Sequence, residues 1–261
     1  MNDPKPALLI TPVAPTGFQE PAWLRWLLTG LAVLFLSIFV IFPLLVVFYN
    51  AFQDGVETYW RALQEPDLLA SLRLTLFTIL IAVPANTVFG LCAAWALTKF
   101  RFRGKTLLTT LINVPFTVSP VISGVIFILL LGSNSMLGAW LTAHGYPIIF
   151  AVPGIVLATL FVTLPFVAQE LITLMQSQGV EEEEAAVMLG ANGWQTFLHV
   201  TLPNIRWGLL YGIILCATRA LGEFGAVSVV SGHIRGKTIT LPLEVEILYN
   251  EYNFIAAFSA A

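Results

Sequence analysis

The sequence predicts an all-α polytopic membrane protein, and three observations carry that reading. Hydrophobic residues make up 57% of the chain against 10% charged, with a mean hydropathy of +0.85. Such a composition belongs to chains solvated by lipid. The apolar residues also fall into runs of about 20 or more, the length needed to cross a hydrocarbon core of about 30 Å. Finally, the polar stretches between the runs are short and carry the charges in clusters. The net charge of -3 says little, because the placement of Lys and Arg orients such a chain, not their sum.

Residues 1–22 contain Pro4, Pro6, Pro12, Pro15 and Pro21, which deny a regular helix and predict an extended, Pro-rich tail. The first membrane span follows at 23–52, its Trp26–Phe52 stretch free of charge, too long for a signal-peptide core and without an A-x-A site after it. Gln53–Ser71 mixes Asp54, Glu57, Arg61, Glu65 and Asp67 with Tyr59 and Trp60, as an outside loop with interfacial aromatics does. Leu72–Thr98 gives a second span, expected to break at Pro84, and ends in Lys99, Arg101, Arg103 and Lys105. That cationic cluster marks its side as cytoplasmic, which places the N-terminus there too. Leu107–Leu131 makes a third span around Pro115 and Pro120, and Gly132–Pro147 is a loop without fixed charge. Ile148–Met175, with Pro153 and Pro165, returns the chain to the cytoplasm. A fifth span, Trp207–Val230, goes out again, and Ser231–Tyr252 forms an outside loop. Cys92 and Cys216 each sit in an apolar run and read as small core residues, implying neither a disulfide nor a metal site.

Between the fourth and fifth spans lies a polar stretch, residues 177–206, that reads as a helix, a turn and a second helix. Glu181–Glu184 put negative charge in a first turn, where the helix dipole favours it. Ala185–Leu189 propagate the helix, and Gly190 stops it. Asn192–Gly193 adds a turn signal, Trp194–Val200 suits a second short helix, and Pro203 is expected to bar its continuation. Met188 and Leu189, shown among small Ala side chains, suit docking into a groove of a soluble partner. Span counting puts this acidic hairpin on the side of the cationic turn.

Glu184, Ala185 and Ala186, then Gly190, then Val200 and the Thr201–Leu202–Pro203 triplet, resemble the EAA loop of ABC-importer permeases, with Val where Ile is commoner. The resemblance implies a type I ABC importer transmembrane domain over 68–261, six spans in all, with the sixth cut short here because only Phe254–Ala261 remain after Asn253. It implies that Glu184, Ala185, Ala186, Met188, Leu189, Gly190, Leu202 and Pro203 form the surface coupled to a cytoplasmic ATPase. It further implies a bacterial inner-membrane location.

A narrower resemblance lies in the fifth span and its loop, where RALGEFGA is shared by sulfate and molybdate permeases. VSVVSGHIRGKTITLPLEVE, TLPNIRWGLLYG and INVPFTVSPVISG are similar to sulfate and thiosulfate permeases of the CysW type. The resemblance implies a second related permease, two copies of the ATPase and an extracytoplasmic sulfate-binding protein as partners in the membrane, with no nucleic acid. Molybdate or tungstate is the alternative substrate within the class, and an ion-gradient-driven secondary anion transporter is the alternative outside it.

No cofactor is expected in this chain. Gly104–Lys105–Thr106 and Gly236–Lys237–Thr238 lack the glycine that a phosphate loop needs five positions earlier, where Lys99 and Ser231 stand, so ATP and Mg belong to the partner. His144, His199 and His233 are scattered and offer no metal-ligand spacing, and no catalytic residue is expected. Arg219 and Glu223 are charges inside a span and four residues apart, able to neutralise each other. They serve either as architecture or as part of an anion pathway that would include Ser119 and Ser123. Glu170 reads as interfacial.

Overall fold

The computed structural model describes residues 21–261; residues 1–20, most of the Pro-rich tail, lie outside the described residues. All regular structure among them is helical. The chain divides into two units at Tyr49 and Asn50. In the first, α1 (Ala22–Leu36) passes through a π-helical turn at Ser37–Ile41 into α2 (Phe42–Phe52), so the predicted span at 23–52 is one continuous apolar helix.

The second unit is built on α4 (Pro66–Lys99) and α8 (Val152–Gln178), which run parallel, with α11 (Leu202–Leu221) antiparallel beside them. Small residues set the spacing. A Cβ on Gly90 would lie 2.9 Å from the Ala168 nitrogen and the Val167 side chain, and Ala93, Ala94 and Ala168 are buried at the same seam. Close approach through small side chains is how helices associate where lipid removes the hydrophobic driving force. A buried Asn86 adds polar glue, its amide donating to the Thr163 hydroxyl at 2.8 Å and the Leu160 carbonyl at 3.0 Å. Leu97, Leu171, Met175, Ile205 and Cys216 complete this core. Cys92, expected inside, faces outward instead, because it lies on the side of α4 turned away from α8.

Two expectations about proline need correction, and one about a span. Pro84 does not break the second span: α4 is continuous through it. Pro203 does not stop the second arm of the hairpin, because α10 (Gly193–Thr196) leads through a π turn at Phe197–Thr201 directly into α11, making one helix over Gly193–Leu221. A proline ring clashes with the carbonyl four residues back, and a wide π turn placed there relieves that clash. The same device precedes Pro43 in α2. The third predicted span, by contrast, is two helices: α5 (Lys105–Thr117) and α6 (Pro120–Leu131) meet at 110° across Val118–Ser119.

The fifth span is also broken. α11 ends at Leu221, and α12 (Gly225–Ser231) restarts after Gly222–Phe224. The two breaks face each other. A Cβ on Gly225 would sit 2.9 Å from the Cβ of Pro120, and one on Gly124 would sit 2.8 Å from the Ala226 carbonyl oxygen. Among the described residues, four helices are long and apolar enough to cross a membrane, or five with the bent pair counted as one. The expected loops hold shorter helices: α3 (Val56–Leu63), α7 (Met136–Ala143) and α13 (Leu241–Asn250), followed by α14 (Phe254–Ala260).

α13 caps the end of the bundle opposite the hairpin. The Leu241 N–H donates to the Thr75 hydroxyl of α4 at 2.8 Å, and Ile239 and Leu243 pack with Ile155 and Val227. Arg235 pairs with Glu251 and lies 3.9 Å from Asp67. Beside them Glu244 is buried, and burial pushes its carboxyl above the ordinary value of 4.5, the nearby Asp67 charge adding to the effect and Arg235 opposing it; Glu251 and Glu65 raise it further. A carboxyl whose folded pKa is raised binds its proton more tightly in the folded state, so the protein loses stability as pH climbs from 4.5 through the raised value. Glu244→Gln is therefore expected to unfold at higher temperature than wild type in detergent at neutral pH, with the difference vanishing below pH 4.5. Parallel wild-type and variant curves across that range would mean that Glu244 titrates normally.

Candidate functional site

The polar hairpin is built from strong local signals. α9 (Glu181–Met188) carries all four glutamates in its first turn. It ends on Gly190 at φ +92°, with the Gly190 N–H bonded to the Val187 carbonyl at 2.9 Å and the Ala191 N–H to the Ala186 carbonyl at 3.0 Å. That pair of hydrogen bonds satisfies carbonyls that a helix end would leave orphaned, and it needs a left-handed residue at the turn. Asn192 then opens the next helix with a reciprocal cap. Its side chain accepts the Gln195 N–H at 2.8 Å, and the Gln195 side chain accepts the Asn192 N–H at 2.9 Å. The chain thus reverses within a few residues.

What α9 presents outward matches the sequence reading: Met188 is 87% exposed and Leu189 90%. Ala185 and Glu184 are also on the open side, whereas Ala186 is half-buried. Leu202 is partly buried against the bundle and Pro203 is exposed. The structure brings Glu184 to Gly190 together as one projecting helix. It sets Leu202 and Pro203 apart, on the helix that enters the bundle.

Sequence reasoning missed the residues that hold α9 in place. Glu183 lies 2.7 Å from Lys99, the last residue of α4, and accepts from the Thr201 hydroxyl at 3.3 Å. Lys99 also donates to the Gly179 carbonyl at 2.6 Å. Glu182 accepts from Asn204 at the start of α11, and Gln178 donates to the Asn204 carbonyl at 3.2 Å. The cationic turn and the hairpin therefore share one end of the molecule. Span counting was the only signal for that, since Lys99 and Glu183 are far apart in sequence.

The second candidate lies in the broken fifth span, roughly 26 Å along α11 from Leu202. Glu223 sits just past the helix end, not on the face expected, yet its Oε2 is 2.7 Å from Nη1 of Arg219. Its Oε1 accepts the Ala226 N–H at 2.9 Å, in the first turn of α12. The Glu223 side chain is 1% exposed and that of Arg219 31%. One end of the pair is locked in the protein and the other is partly exposed. Ser123 is buried, its hydroxyl donating to the Ser119 carbonyl at 3.2 Å, while Ser119 itself is exposed at the break. Both serines stand at the α5–α6 corner that packs on α12. Asn113 and Gln169 bond each other across α5 and α8. Among the described residues, no group of three or more His, Cys, Asp and Glu side chains is placed to hold a metal ion.

Residues 86–261 match the family of binding-protein-dependent transport system inner membrane components. The chain is 51% identical over 239 residues to the sulfate transport system permease protein CysW of Escherichia coli strain K12, a match covering 92% of this chain and 82% of that one. It is 34% identical over 232 residues to the permease protein CysT of the same strain, with 89% and 84% covered. Its fold is that of a chain in the crystal structure of a bacterial alginate ABC transporter in complex with an alginate pentasaccharide-bound periplasmic protein: TM-score 0.78 at 16% identity, over 91% of this chain and 87% of that one.

The Glu223 geometry sets a test of its own. Glu223→Gln keeps an oxygen for the Ala226 N–H, whereas Glu223→Ala leaves that buried donor unpaired. The alanine variant is expected to be less stable than the glutamine variant by about 1–3 kcal/mol in detergent unfolding. Equal stabilities would show that the carboxylate does not cap α12.

Proposed function

The chain belongs to the family of binding-protein-dependent transport system inner membrane components, a family of multi-pass membrane permeases, and from that membership we propose that it is the sulfate permease subunit of an ATP-driven importer. The similarity to a sulfate permease over 92% of the chain is the observation that carries the substrate. Thiosulfate, of the same charge and nearly the same size, would follow the same route. Similarity to both CysW and CysT of one organism supports a pair of related, non-identical permeases around one pathway. The alginate transporter's bound periplasmic protein supports delivery by an extracytoplasmic binding protein. The permease domain takes in residues 68–261. ATP and Mg are held by two copies of a partner ATPase, and the chain itself carries no cofactor. Its N-terminus and hairpin face the cytoplasm.

In this reading α9 enters a groove of the ATPase, with Met188 and Leu189 as its apolar contacts and Glu184, Ala185 and Ala186 around them. Leu202 and Pro203 pass the movement into α11. ATP-driven closure of the ATPases shifts the hairpin, and the helices tied to it change the side to which the pathway opens. Arg219 lies toward the end remote from the hairpin, where a delivered anion arrives. Its guanidinium keeps N–H donors free of Glu223, and Ser119 adds a hydroxyl at the neighbouring break.

Three measurements test this. Cells lacking the gene are expected to lose uptake of labelled sulfate, and the restored chain to recover it only while ATP is available. Uptake that survives ATP depletion and collapses with an ion gradient would point to a secondary carrier, and unaltered sulfate uptake, in cells without a second sulfate importer, would move molybdate to the front. Arg219→Ala is expected to lower uptake by about ten-fold, near 1.4 kcal/mol, at unchanged membrane abundance; full uptake would leave the pair as architecture. A Cβ on Gly190 meets no neighbour within 4 Å, so the cost of Gly190→Val is chiefly backbone strain at positive φ, about 1–2 kcal/mol. The variant is expected to uncouple ATP hydrolysis from import, and normal coupling would remove the turn from the transmission.

A further inference from the structure

We propose that Lys99 is a positioning residue that latches the hairpin to α4, so that movement of α9 is carried along that helix to the far end of the bundle. The inference rests on the coupling role proposed above and goes beyond it by naming the strut and its route.

α9 is weakly held by packing. Val187, Met188 and Leu189 are all exposed, and a cavity of about 740 Å³ separates α9 from the turn between α4 and α5, lined by Trp95, Phe100, Lys105 and Val187 among others. Across that space the polar connection between α9 and α4 is the Lys99–Glu183 ion pair at 2.7 Å. Both side chains are largely withdrawn from water, 11% and 19% exposed, so the pair is screened less than a surface bridge. Its polarity suits both helices, with a cation at the C-terminus of α4 and an anion in the first turn of α9. The same ammonium donates to the carbonyl of Gly179 at 2.6 Å. Gly179 sits at φ +77° between α8 and α9, so Lys99 clamps the joint as well as the lever.

α4 is suited to transmit what it receives. It is unbroken from Pro66 to Lys99, about 50 Å at 1.5 Å per residue. At its other end Thr75 accepts from the Leu241 N–H of α13. The second arm of the hairpin has an apolar hold on α4, with Phe197 and Trp95 ring centroids 4.8 Å apart. The hold of α9 on α4 is the ion pair. Without it, α9 keeps its bonds to Thr201 and Asn204 but loses its tie to α4, which then stays behind when α9 moves.

The test uses the whole importer, with both permeases, the ATPase and the binding protein in proteoliposomes, reading sulfate import and ATP hydrolysis on the same sample. Lys99→Met and Glu183→Gln are each expected to lower import per ATP hydrolysed by about five-fold, the effect of a perturbation of order 1 kcal/mol, while the ATPase still co-purifies. Lys99→Arg is expected to restore most of the ratio, and the exchange Lys99→Glu with Glu183→Lys to restore part of it. A wild-type ratio in Lys99→Met would overturn the latch. So would loss of the ATPase in both Lys99→Met and Lys99→Arg, which would make Lys99 a folding residue. Absence of sulfate import by the wild-type complex would overturn the importer reading itself, and this inference with it.

Discussion

The constraint on which the rest of this structure depends is that a chain in lipid has no water to satisfy its backbone. Every break in a helix must find its partners inside the protein. Two breaks occur within the apolar runs, at Val118–Ser119 and at Gly222–Phe224, and the fold solves both at one place. Pro120 packs on Gly225, Gly124 lies under Ala226, and the Glu223 carboxylate takes the Ala226 N–H that the new helix start leaves open. Each break is tolerable because the other covers it. Burial of Ser123 against the Ser119 carbonyl belongs to the same arrangement. The corner they form is the irregular backbone of the bundle, and irregular backbone at membrane depth is admitted where protein buries it or a pathway runs.

Around that corner the straight helices act as struts. α4 and α8 lie parallel and close because Gly90, Ala93, Ala94 and Ala168 leave room, and Asn86 fixes their register by bonding Thr163 and the Leu160 carbonyl. Such a seam is stiff, since interiors packed this densely do not deform continuously. α11 returns beside them with Gly208 and Gly212 against Leu174 and Val167. A push at the hairpin end therefore meets helices that move as wholes. The compliance is left to the two corners and to the glycine joints at Gly179 and Gly190.

The apolar helices were legible because their composition leaves no other solution in lipid, and the hairpin because its caps are local. Glutamates in a first turn, Gly190 and Asn192 act within a few residues of themselves. Proline was where local reading failed. Three X–Pro steps gave three outcomes: Val83–Pro84 stays α-helical, Leu202–Pro203 stays helical behind a π turn, and Ser119–Pro120 opens to an extended ψ of 136°. The residue before proline is biased away from the α region in every case. What separates them is not written at the step itself: Pro120, for one, packs on Gly225, which is distant in sequence. The Lys99–Glu183 pair was hidden for the same reason. Each residue had a sufficient local explanation, Lys99 as an orientation signal and Glu183 as a dipole charge, and only the meeting of two helix ends gives them a joint one.

The Arg219–Glu223 pair bears on how an anion could pass without being trapped. A fully buried carboxylate is costly unless both oxygens are engaged, and here one takes the Ala226 N–H while the other faces Arg219. That arrangement makes the pair nearly neutral as seen from afar, so it exerts little long-range pull on a dianion. Yet the guanidinium is partly exposed, and a fork with donors to spare recognises an oxyanion at contact distance. In the proposed importer, a neutral pair with a free fork would therefore be a weak, short-range site. Weak binding is what conduction requires, because an anion held tightly would not leave. In the proposed importer, then, the partner that delivers the anion would set affinity and selectivity, and the permease would supply a brief hydrogen-bonding stop whose strength Glu223 limits by sharing the guanidinium.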